Sequence, residues 1–215
     1  MMRYTIKKTA ETALESVDFG QAETGRLEVV RPESSLPVPD VSFRVLHDTA
    51  NLYVRFDVKD RYLRSIQTKR HSAVCTDSCV EFFVQPKSGK GYFNIEINAG
   101  GTLLCFYVED PARTPSGLAK FTPLPDDLCD RITIRSSLPR TIDPEITQPT
   151  AWHLSYRVPF AVLASFTGPL DTATPWRGNF YKCADRTSHP HWMAWSPITA
   201  LNFHLPACFG ELRFE

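Results

Sequence analysis

Alternation of apolar and charged side chains with a period of two is the feature of this sequence that most limits its fold. Between positions 51 and 59, every second residue is apolar, and the residues at 55, 57 and 59 are charged. Successive side chains of an extended chain point to opposite faces, so this stretch predicts a strand with one buried and one wet face. The same spacing recurs at 80–84 and 93–97.

Several more segments share this pattern, and together they predict an all-β fold. The predicted strands are 41–47, 51–59, 79–85, 91–98, 102–108, 131–136, 152–158, 178–183 and 211–214. Pro159 suits the first position of a helix, so 159–166 predicts one short helix. Pro- and Asp-rich stretches predict loops at 110–116, 123–130 and 139–150. We predict an antiparallel β-sandwich of jelly-roll or immunoglobulin-like type, a single domain over residues 1–215 with at most one short helix.

Charge and hydropathy exclude several classes of partner. The chain has 24 Lys plus Arg against 24 Asp plus Glu, whereas nucleic-acid and anionic-membrane binders carry a basic excess. No stretch reaches the ~18 apolar residues of a membrane span. The N-terminus lacks the apolar run of a signal peptide. We therefore predict a cytoplasmic protein for the sequence as given, or an extracellular or periplasmic one if a leader was removed.

The six cysteines do not form a recognisable disulfide framework. Their spacing is irregular, and a chain of 215 residues can bury an ordinary core without disulfides. Cys79, Cys105 and Cys183 stand inside apolar strand patterns, where a thiol behaves as a small hydrophobic group. We predict six reduced thiols.

The strands at 79–85 and 91–98 form a predicted hairpin around the turn 86–90. Their apolar residues must share one face, which places Phe82 opposite Ile95. A slip of one residue would expose these side chains to water, so the register is well defined.

The same register places Glu81 opposite Glu96 and Phe83 opposite Asn94. Directly opposed side chains have Cβ atoms roughly 4.5–5.5 Å apart. Two carboxylates at that distance repel each other unless a cation, a proton or a polyol lies between them.

The outer face of the hairpin therefore combines acids, amides and aromatic rings. Its residues are Glu81, Phe83, Gln85, Tyr92, Asn94, Glu96 and Asn98. Carboxylates and amides hydrogen-bond neighbouring sugar hydroxyls, and rings cover the apolar face of a pyranose. The alternative interpretation is a solvated sheet face on which Arg55 or Lys59 balances the acids.

Rings and polar side chains also crowd into the C-terminal segment 176–211. It contains Trp192, Trp195, Phe203 and His204, together with Arg, Lys and Asp residues. One interpretation is edge-strand packing with polar tips bonded to backbone. The other is a wall of stacking rings and hydrogen-bond donors for a ligand.

The sequence resembles the carbohydrate-binding module family 9-like domains. The matching segments are 52–56 with Asp60, 77–83, 92–101, and the pattern from Arg177 through 195–197 to 209–210. The D-x-x-V-E-F-F strand and the W-S-P…F-G ending are its most specific parts. The resemblance implies a β-sandwich that binds sugars without catalysis, often appended to xylanases, and takes polysaccharide ends or small saccharides.

The resemblance also implies roles for particular residues. Glu81 matches a family carboxylate that bonds sugar hydroxyls. The family clamps the sugar between two Trp residues, and this chain has Cys75 and the segment 202–204 near those positions. Phe203 and Trp192 are the substitute platforms that we predict. Some members hold structural Ca²⁺, for which the candidates here are Asp57, Asp60 and Asp77.

We therefore predict a non-catalytic module that binds a mono- or oligosaccharide, derived from xylan or another plant glycan, in support of polysaccharide breakdown. The predicted ligand-binding residues are Glu81, Asn94, Glu96, Arg177, Asn179, Trp192, Trp195, Phe203 and His204. Acids and amides would select hydroxyl geometry, Arg177 would hold the paired acids or a ring oxygen, and the rings would stack. We expect no cofactor beyond structural calcium, no nucleic acid, and glycan-degrading enzymes as partners.

Two other functions remain open at this point. Glu81 and Glu96 could be the carboxylate pair of a glycoside hydrolase, since retaining enzymes place two carboxyls ~5–5.5 Å apart. A metal or haem site is the second alternative. Its candidate zinc ligands are Cys183, His189, His191 and His204, and Met193 is a candidate haem ligand.

Overall fold

The structure is a computed structural model that describes residues 1–115 and 117–215. Over these residues it contains sixteen strands, two α-helices and four short 3-10 turns. The strands are β1 (Arg3–Lys8), β2 (Gly25–Arg26), β3 (Val29–Val30), β4 (Asp40–His47), β5 (Asn51–Asp60), β6 (Leu63–Ser65), β7 (Cys79–Gln85), β8 (Tyr92–Asn98), β9 (Leu103–Thr114), β10 (Gly117–Pro123), β11 (Thr133–Ser136), β12 (Ile142–Ile146), β13 (Thr150–Pro159), β14 (Trp176–Cys183), β15 (Trp192–Ala194) and β16 (Gly210–Phe214). The helices are α1 (Asp126–Cys129) and α2 (Phe160–Thr167), and the 3-10 turns are Leu14–Ser16, Phe19–Gln21, Val74–Thr76 and Pro206–Cys208.

Two sheets pack face to face, as the β-sandwich prediction requires. The first sheet has the order β10-β9-β8-β7-β14-β16-β1, and the second has the order β1-β4-β5-β13-β11. The main core lies between them and is built from the inward side chains of both sheets. Phe43 of the second sheet stacks on Phe180 of the first with ring centroids 3.7 Å apart, which joins the two layers.

The N-terminal strand β1 belongs to both sheets. Arg3–Ile6 pairs with β16, and Lys7–Lys8 pairs with β4. Both pairings are parallel, whereas the other pairings recorded in the described part of the chain are antiparallel. The sequence did not predict this strand, because only Tyr4 and Ile6 are apolar in it and its pairing partners are far away along the chain.

Three of the predicted loops contain regular structure. Strand β9 continues to Thr114 and pairs with β10, so the loop predicted at 110–116 is wrong as far as Thr114; Ser116 lies outside the described residues. Helix α1 falls within 123–130, and β12 falls within 139–150, where it pairs with β6. The fold therefore has two short helices instead of at most one.

The predicted hairpin register is confirmed. Phe82 pairs with Ile95, and Glu81 pairs with Glu96. All six cysteines are free, and Cys79, Cys105 and Cys183 are buried. No helix of the described residues is long and apolar enough to cross a membrane.

Candidate functional site

The outer face of the first sheet is covered, so the alternative interpretation of a solvated hairpin face is wrong. An outer layer, made of Val74, Ile198, Phe203 and Phe209, packs against Phe83 and its neighbours in a second apolar cluster. Residues 79–84 of β7 are consequently buried on both faces. The polar side chains of this face therefore lie inside the protein.

A cavity of about 410 Å³ remains between the outer layer and the sheet. This volume falls within the roughly 300–1,000 Å³ of small-molecule sites. The residues that line it are Cys75, Glu81, Glu96, Arg113, Cys183, Asp185, Trp192, Leu201, Asn202, Phe203 and His204. The sequence alone implied no such cleft, because it did not show that a second layer covers the sheet.

Glu81 and Glu96 form the floor of the cavity, and their side chains are almost completely buried. They are directly paired across β7 and β8, so both project from the same face of the sheet. The Cys183 thiol donates to Glu81 Oε1 over 3.0 Å. The Asn94 amide donates to Glu96 Oε1 over 2.9 Å. Each acid is thus oriented by one neutral donor.

This pair does not ionise like exposed carboxyls. Burial raises the pKa of Glu81 well above its usual range, and the neighbouring Glu96 raises it further. Burial likewise raises the pKa of Glu96 to about 7, against the lowering effect of the Asn94 hydrogen bond. At neutral pH the two carboxyls therefore retain at least part of a proton between them.

Asp185 and Trp192 form one wall of the cavity. The indole Nε1 of Trp192 donates to Asp185 Oδ1 over 2.7 Å, which fixes the ring against the carboxylate. Burial raises the pKa of Asp185, and the bond from Trp192 opposes that rise.

Phe203 and His204 also line the cavity and are supported from the sheet by two tyrosines. Phe203 stacks on Tyr181 with ring centroids 4.1 Å apart. Nδ1 of His204 lies 2.7 Å from the Tyr92 hydroxyl oxygen. Burial lowers the pKa of His204 to about 3, and Arg113 lowers it further, so the imidazole is neutral.

The structure brings together most of the residues that the sequence predicted for ligand binding. Glu81, Glu96, Trp192, Phe203 and His204 all line the cavity. Asn94 lies directly behind Glu96, and its Oδ1 accepts a hydrogen bond from the backbone N–H of Phe106. Whether these side chains contact a ligand stays a prediction.

Three predicted residues lie elsewhere. The guanidinium of Arg177 donates to the carbonyl of Phe209 and does not reach the acids, because Arg177 pairs with Gln85, four positions along β7 from Glu81. Four residues of strand span roughly 13 Å. The expectation that Arg177 holds the paired acids is therefore wrong.

Asn179 and Trp195 also lie outside the cavity. The Asn179 side chain is fully buried and bonds to the backbone of Ser196. Trp195 packs in the main core against Phe43, with ring centroids 5.9 Å apart. Because Trp195 follows Trp192 by three residues, the alternation of an extended chain sends the two rings to opposite sides.

Several lining residues were not predicted from the sequence. Arg113 reaches the cavity because β9 extends beyond the predicted end, and its guanidinium donates to Asn202 Oδ1 over 3.1 Å. Asp185 stands in the turn that follows β14, two residues after Cys183, where no strand pattern marked it. Cys75 comes from the 3-10 turn before β7, which no periodic pattern marked.

The three calcium candidates do not converge in the structure. Asp57 is paired with Arg44 and Arg55, Asp60 with Lys182, and Asp77 accepts from the backbone N–H groups of Ile66 and Gln67. The carboxylates of Asp57 and Asp60 are already neutralised by arginine or lysine side chains, so their negative charge does not attract calcium. The geometry therefore gives these aspartates separate structural roles.

The proposed zinc and haem ligands are likewise apart. His189 stacks on Tyr62, and Nε2 of His191 lies 2.8 Å from Lys182 Nζ. Met193 packs in the main core. In the described part of the chain, the cluster of metal-ligating side chains is instead Cys79, Glu81 and Cys183.

The cavity thus brings together buried carboxyls, the guanidinium of Arg113 and aromatic ring faces. Such a surface can accept and donate hydrogen bonds to a polyol while covering its apolar C–H groups.

Comparisons with known proteins agree with this architecture. A candidate carbohydrate-binding protein from Bacteroides uniformis ATCC 8492 has a similar structure, with a TM-score of 0.87, 29% identity, and coverage of 99% of both chains. A family 9 carbohydrate-binding module from Caldicellulosiruptor kristjanssonii, solved with cellotriose, has a TM-score of 0.66 and 14% identity, and covers 100% of this chain and 94% of its own. The same organism's family 9 module solved with glucose has a TM-score of 0.59 and 14% identity over 100% and 96% of the two chains.

A search of curated proteins gave no match. The model of carbohydrate-binding family 9 matches residues 11–214, which is nearly the whole chain. With the sandwich and the covered acidic cavity described above, this match establishes the family. The chain belongs to carbohydrate-binding family 9.

Proposed function

We propose that this protein binds a monosaccharide, or the end of an oligosaccharide, in the cavity above Glu81 and Glu96, without catalysis. One observation supports the proposal above the others. The chain has a cavity of about 410 Å³ in which two buried carboxyls face aromatic walls, in a family named for carbohydrate binding. The family 9 relatives solved with cellotriose and glucose are further support.

The acids of the floor supply the polar recognition. Glu81 and Glu96 each have one oxygen held by a neighbouring donor, Cys183 and Asn94 respectively, which leaves the second oxygen for a sugar hydroxyl. Hydrogen bonds to an ionised acceptor contribute about 1.5–3 kcal/mol, more than neutral ones. Arg113 also lines the cavity and supplies a charged donor.

The rings supply the apolar recognition. Trp192 is only partly buried and is held by Asp185, so its ring is rigid and reachable from the cavity. Phe203 is held in place by Tyr181. We propose that these two rings act in place of the two tryptophans to which the family resemblance points.

A saccharide ligand would also define the role of the whole protein in glycan breakdown. Residues 1–215 would act as one binding module, and a xylan-derived or other plant saccharide would connect it with glycan-degrading enzymes as partners. Sugars exchange hydrogen bonds with water for hydrogen bonds with protein, so the affinity of a single site should be modest.

The opposed pair Glu81 and Glu96 is the observation behind a second candidate, glycoside hydrolysis. The nucleophile and the acid of a glycosidase flank the scissile bond. Here both carboxyls project from neighbouring strands of one sheet face. This arrangement supports binding over hydrolysis, and the same experiment tests both.

Calorimetric titration with glucose, xylose, cellotriose and xylotriose tests the proposal, in buffer containing a chelator. We expect at least one of these saccharides to bind. Glu81→Gln should weaken that binding by at least tenfold, about 1.4 kcal/mol, because it replaces one carboxyl oxygen of the proton-sharing pair with an amide NH2 group and keeps the side-chain shape. Glu211→Gln is the matched control, since this carboxylate is paired with Arg3 and Arg213 away from the cavity.

The proposal fails if none of these saccharides binds at millimolar concentration, or if Glu81→Gln binds as tightly as the unsubstituted protein. Release of nitrophenol from aryl glycosides, abolished by both Glu81→Gln and Glu96→Gln, would instead make the protein a hydrolase.

A further inference from the structure

Two thiols and a carboxyl meet at the edge of the cavity. They are the Sγ atoms of Cys79 and Cys183 and a carboxylate oxygen of Glu81, and these three atoms lie within 4.8 Å of one another. All three residues are buried, at 0%, 2% and 1% exposure respectively. Convergence of three such groups away from water is uncommon for residues whose only role is packing.

The strand register creates this convergence. Cys79 of β7 pairs directly with Cys183 of β14, so their side chains are neighbours on the outer face. Glu81 follows Cys79 by two residues and therefore points to the same face. The cluster stands on two adjacent central strands of the first sheet, which hold their side chains more rigidly than a loop would.

The chemistry of the three groups selects the ion. Thiolate sulfur is a poor ligand for calcium and magnesium and a good one for zinc. Zinc sites combine Cys sulfur at about 2.3 Å with carboxylate oxygen at about 2.0–2.2 Å, and a site with three protein ligands keeps a fourth position open. Glu81 and Cys183 line the cavity, so solvent can reach this side of the cluster.

The charged side chains that line the cavity are three acids and one cation, Arg113. Glu96 and Asp185 line the same cavity and add negative charge when ionised. Lys182 is buried beside this region, but its ammonium group contacts Asp60 and His191. A dication at the cluster would offset part of this negative charge.

We propose that Cys79, Cys183 and Glu81 bind one Zn²⁺ ion, with water in the fourth position. In the metal-free protein both thiols carry protons, and Cys183 donates its proton to a hydrogen bond with Glu81. Zinc takes the place of both thiol protons and of the proton on Glu81 where it is present; these protons pass to the solvent, and no oxidation or reduction is involved. The inference does not rest on the proposed saccharide function, since zinc binding is measured without a sugar.

Titration of the reduced, full-length protein with Zn²⁺ and with Co²⁺ tests the site. We expect one zinc ion per chain, and a near-ultraviolet band from thiolate to cobalt charge transfer in the Co²⁺ form. Cys183→Ser keeps a hydrogen-bond donor for Glu81 but removes a metal ligand. It should weaken zinc binding by more than ~100-fold, since loss of an outer-shell partner alone costs 10–100-fold.

Cys129→Ser is the matched control. This thiol is also buried and also donates a hydrogen bond, to the carbonyl of Leu124, but it lies outside the cluster. We expect unchanged zinc affinity. The proposal is overturned if the unsubstituted protein binds no zinc at micromolar concentration, if its Co²⁺ form lacks the thiolate band, or if the two serine variants bind zinc equally well. The first two measurements use the unsubstituted protein and stay decisive if Cys183→Ser does not fold.

Discussion

The two faces of the β7–β8 hairpin are equally buried but differently built. The inner face contributes only apolar side chains, such as Phe82 and Ile95, to the main core. The outer face places Phe83 beside Glu81 and Glu96 under the outer layer. The inner face is filled, with Phe82 stacked on Phe180 at 4.4 Å between ring centroids, whereas the outer face encloses a cavity.

Within one pair of strands, the inner face therefore stabilises the fold, and the outer face supplies the polar cavity. A packed apolar interior stabilises the fold in proportion to the surface it removes from water. A buried polar cavity costs free energy, because its carboxyls lose hydration and repel each other. Such a cavity persists because the inner face, whose side chains alternate with those of the outer face along each strand, stabilises the same strands.

The largest change in the free energy of unfolding should come from truncating a phenylalanine, and its size should differ between the two faces. Phe82→Ala empties space in the filled core and should cost about 4–5 kcal/mol of unfolding free energy. Phe83→Ala should cost about 3 kcal/mol, since water from the neighbouring cavity can occupy part of the space. Urea unfolding of both variants measures the difference. Equal costs, or a larger cost for Phe83→Ala, would show that the outer face is packed as tightly as the core.

Acid should destabilise the outer face through His204. Its pKa is about 3 in the folded protein, against about 6.5 in an unfolded chain. Between these values the unfolded state binds a proton that the native state does not, so stability falls as the pH drops below 6.5. Tyr92 and Arg113 are the titratable and charged groups recorded beside the ring.

His204→Asn provides the measurement, because its amide can replace Nδ1 beside the Tyr92 hydroxyl and does not titrate. From pH 7.5 to 5.5 the unsubstituted protein should lose about 1.4 kcal/mol more unfolding free energy than the variant. Identical losses in both proteins would contradict the assignment of a neutral, buried imidazole.

The smallest change in stability should come from replacing Trp192, which lines the cavity. Trp192→Phe keeps a ring but removes the donor to Asp185 Oδ1. The loss of this hydrogen bond should lower the free energy of unfolding by about 1 kcal/mol. A double-mutant cycle with Asp185→Ala isolates this bond from the change in packing. A coupling energy indistinguishable from zero would mean that the indole is not anchored by the carboxylate.

Much of the hairpin could be predicted from the sequence. The apolar alternation determined the register of β7 and β8, and the register placed Glu81 opposite Glu96. The prediction needed only nearby residues, because a slip would expose phenylalanine and isoleucine. The family resemblance extended the prediction to the sandwich and to carbohydrate binding.

The predictions that failed concern residues whose neighbours are distant in sequence. Arg177 was expected beside the acids, but its position along β14 places it beside Phe209. Trp195 was expected on the ligand wall, although its odd spacing from Trp192 turns it into the main core. Arg113 was missed because β9 continues through a stretch that composition marked as a loop.

By itself, the sequence determined which side chains share a face of each strand, because the pleat alternates with a period of two whatever the strand packs against. Only the tertiary structure decided what covers each face. Phe203 and Phe209 fold back over Phe83 and Tyr92 of the hairpin, which stand more than a hundred positions earlier in the chain. That contact turns an exposed polar surface into a cavity, and no local pattern encodes it, because burial depends on which distant segments meet.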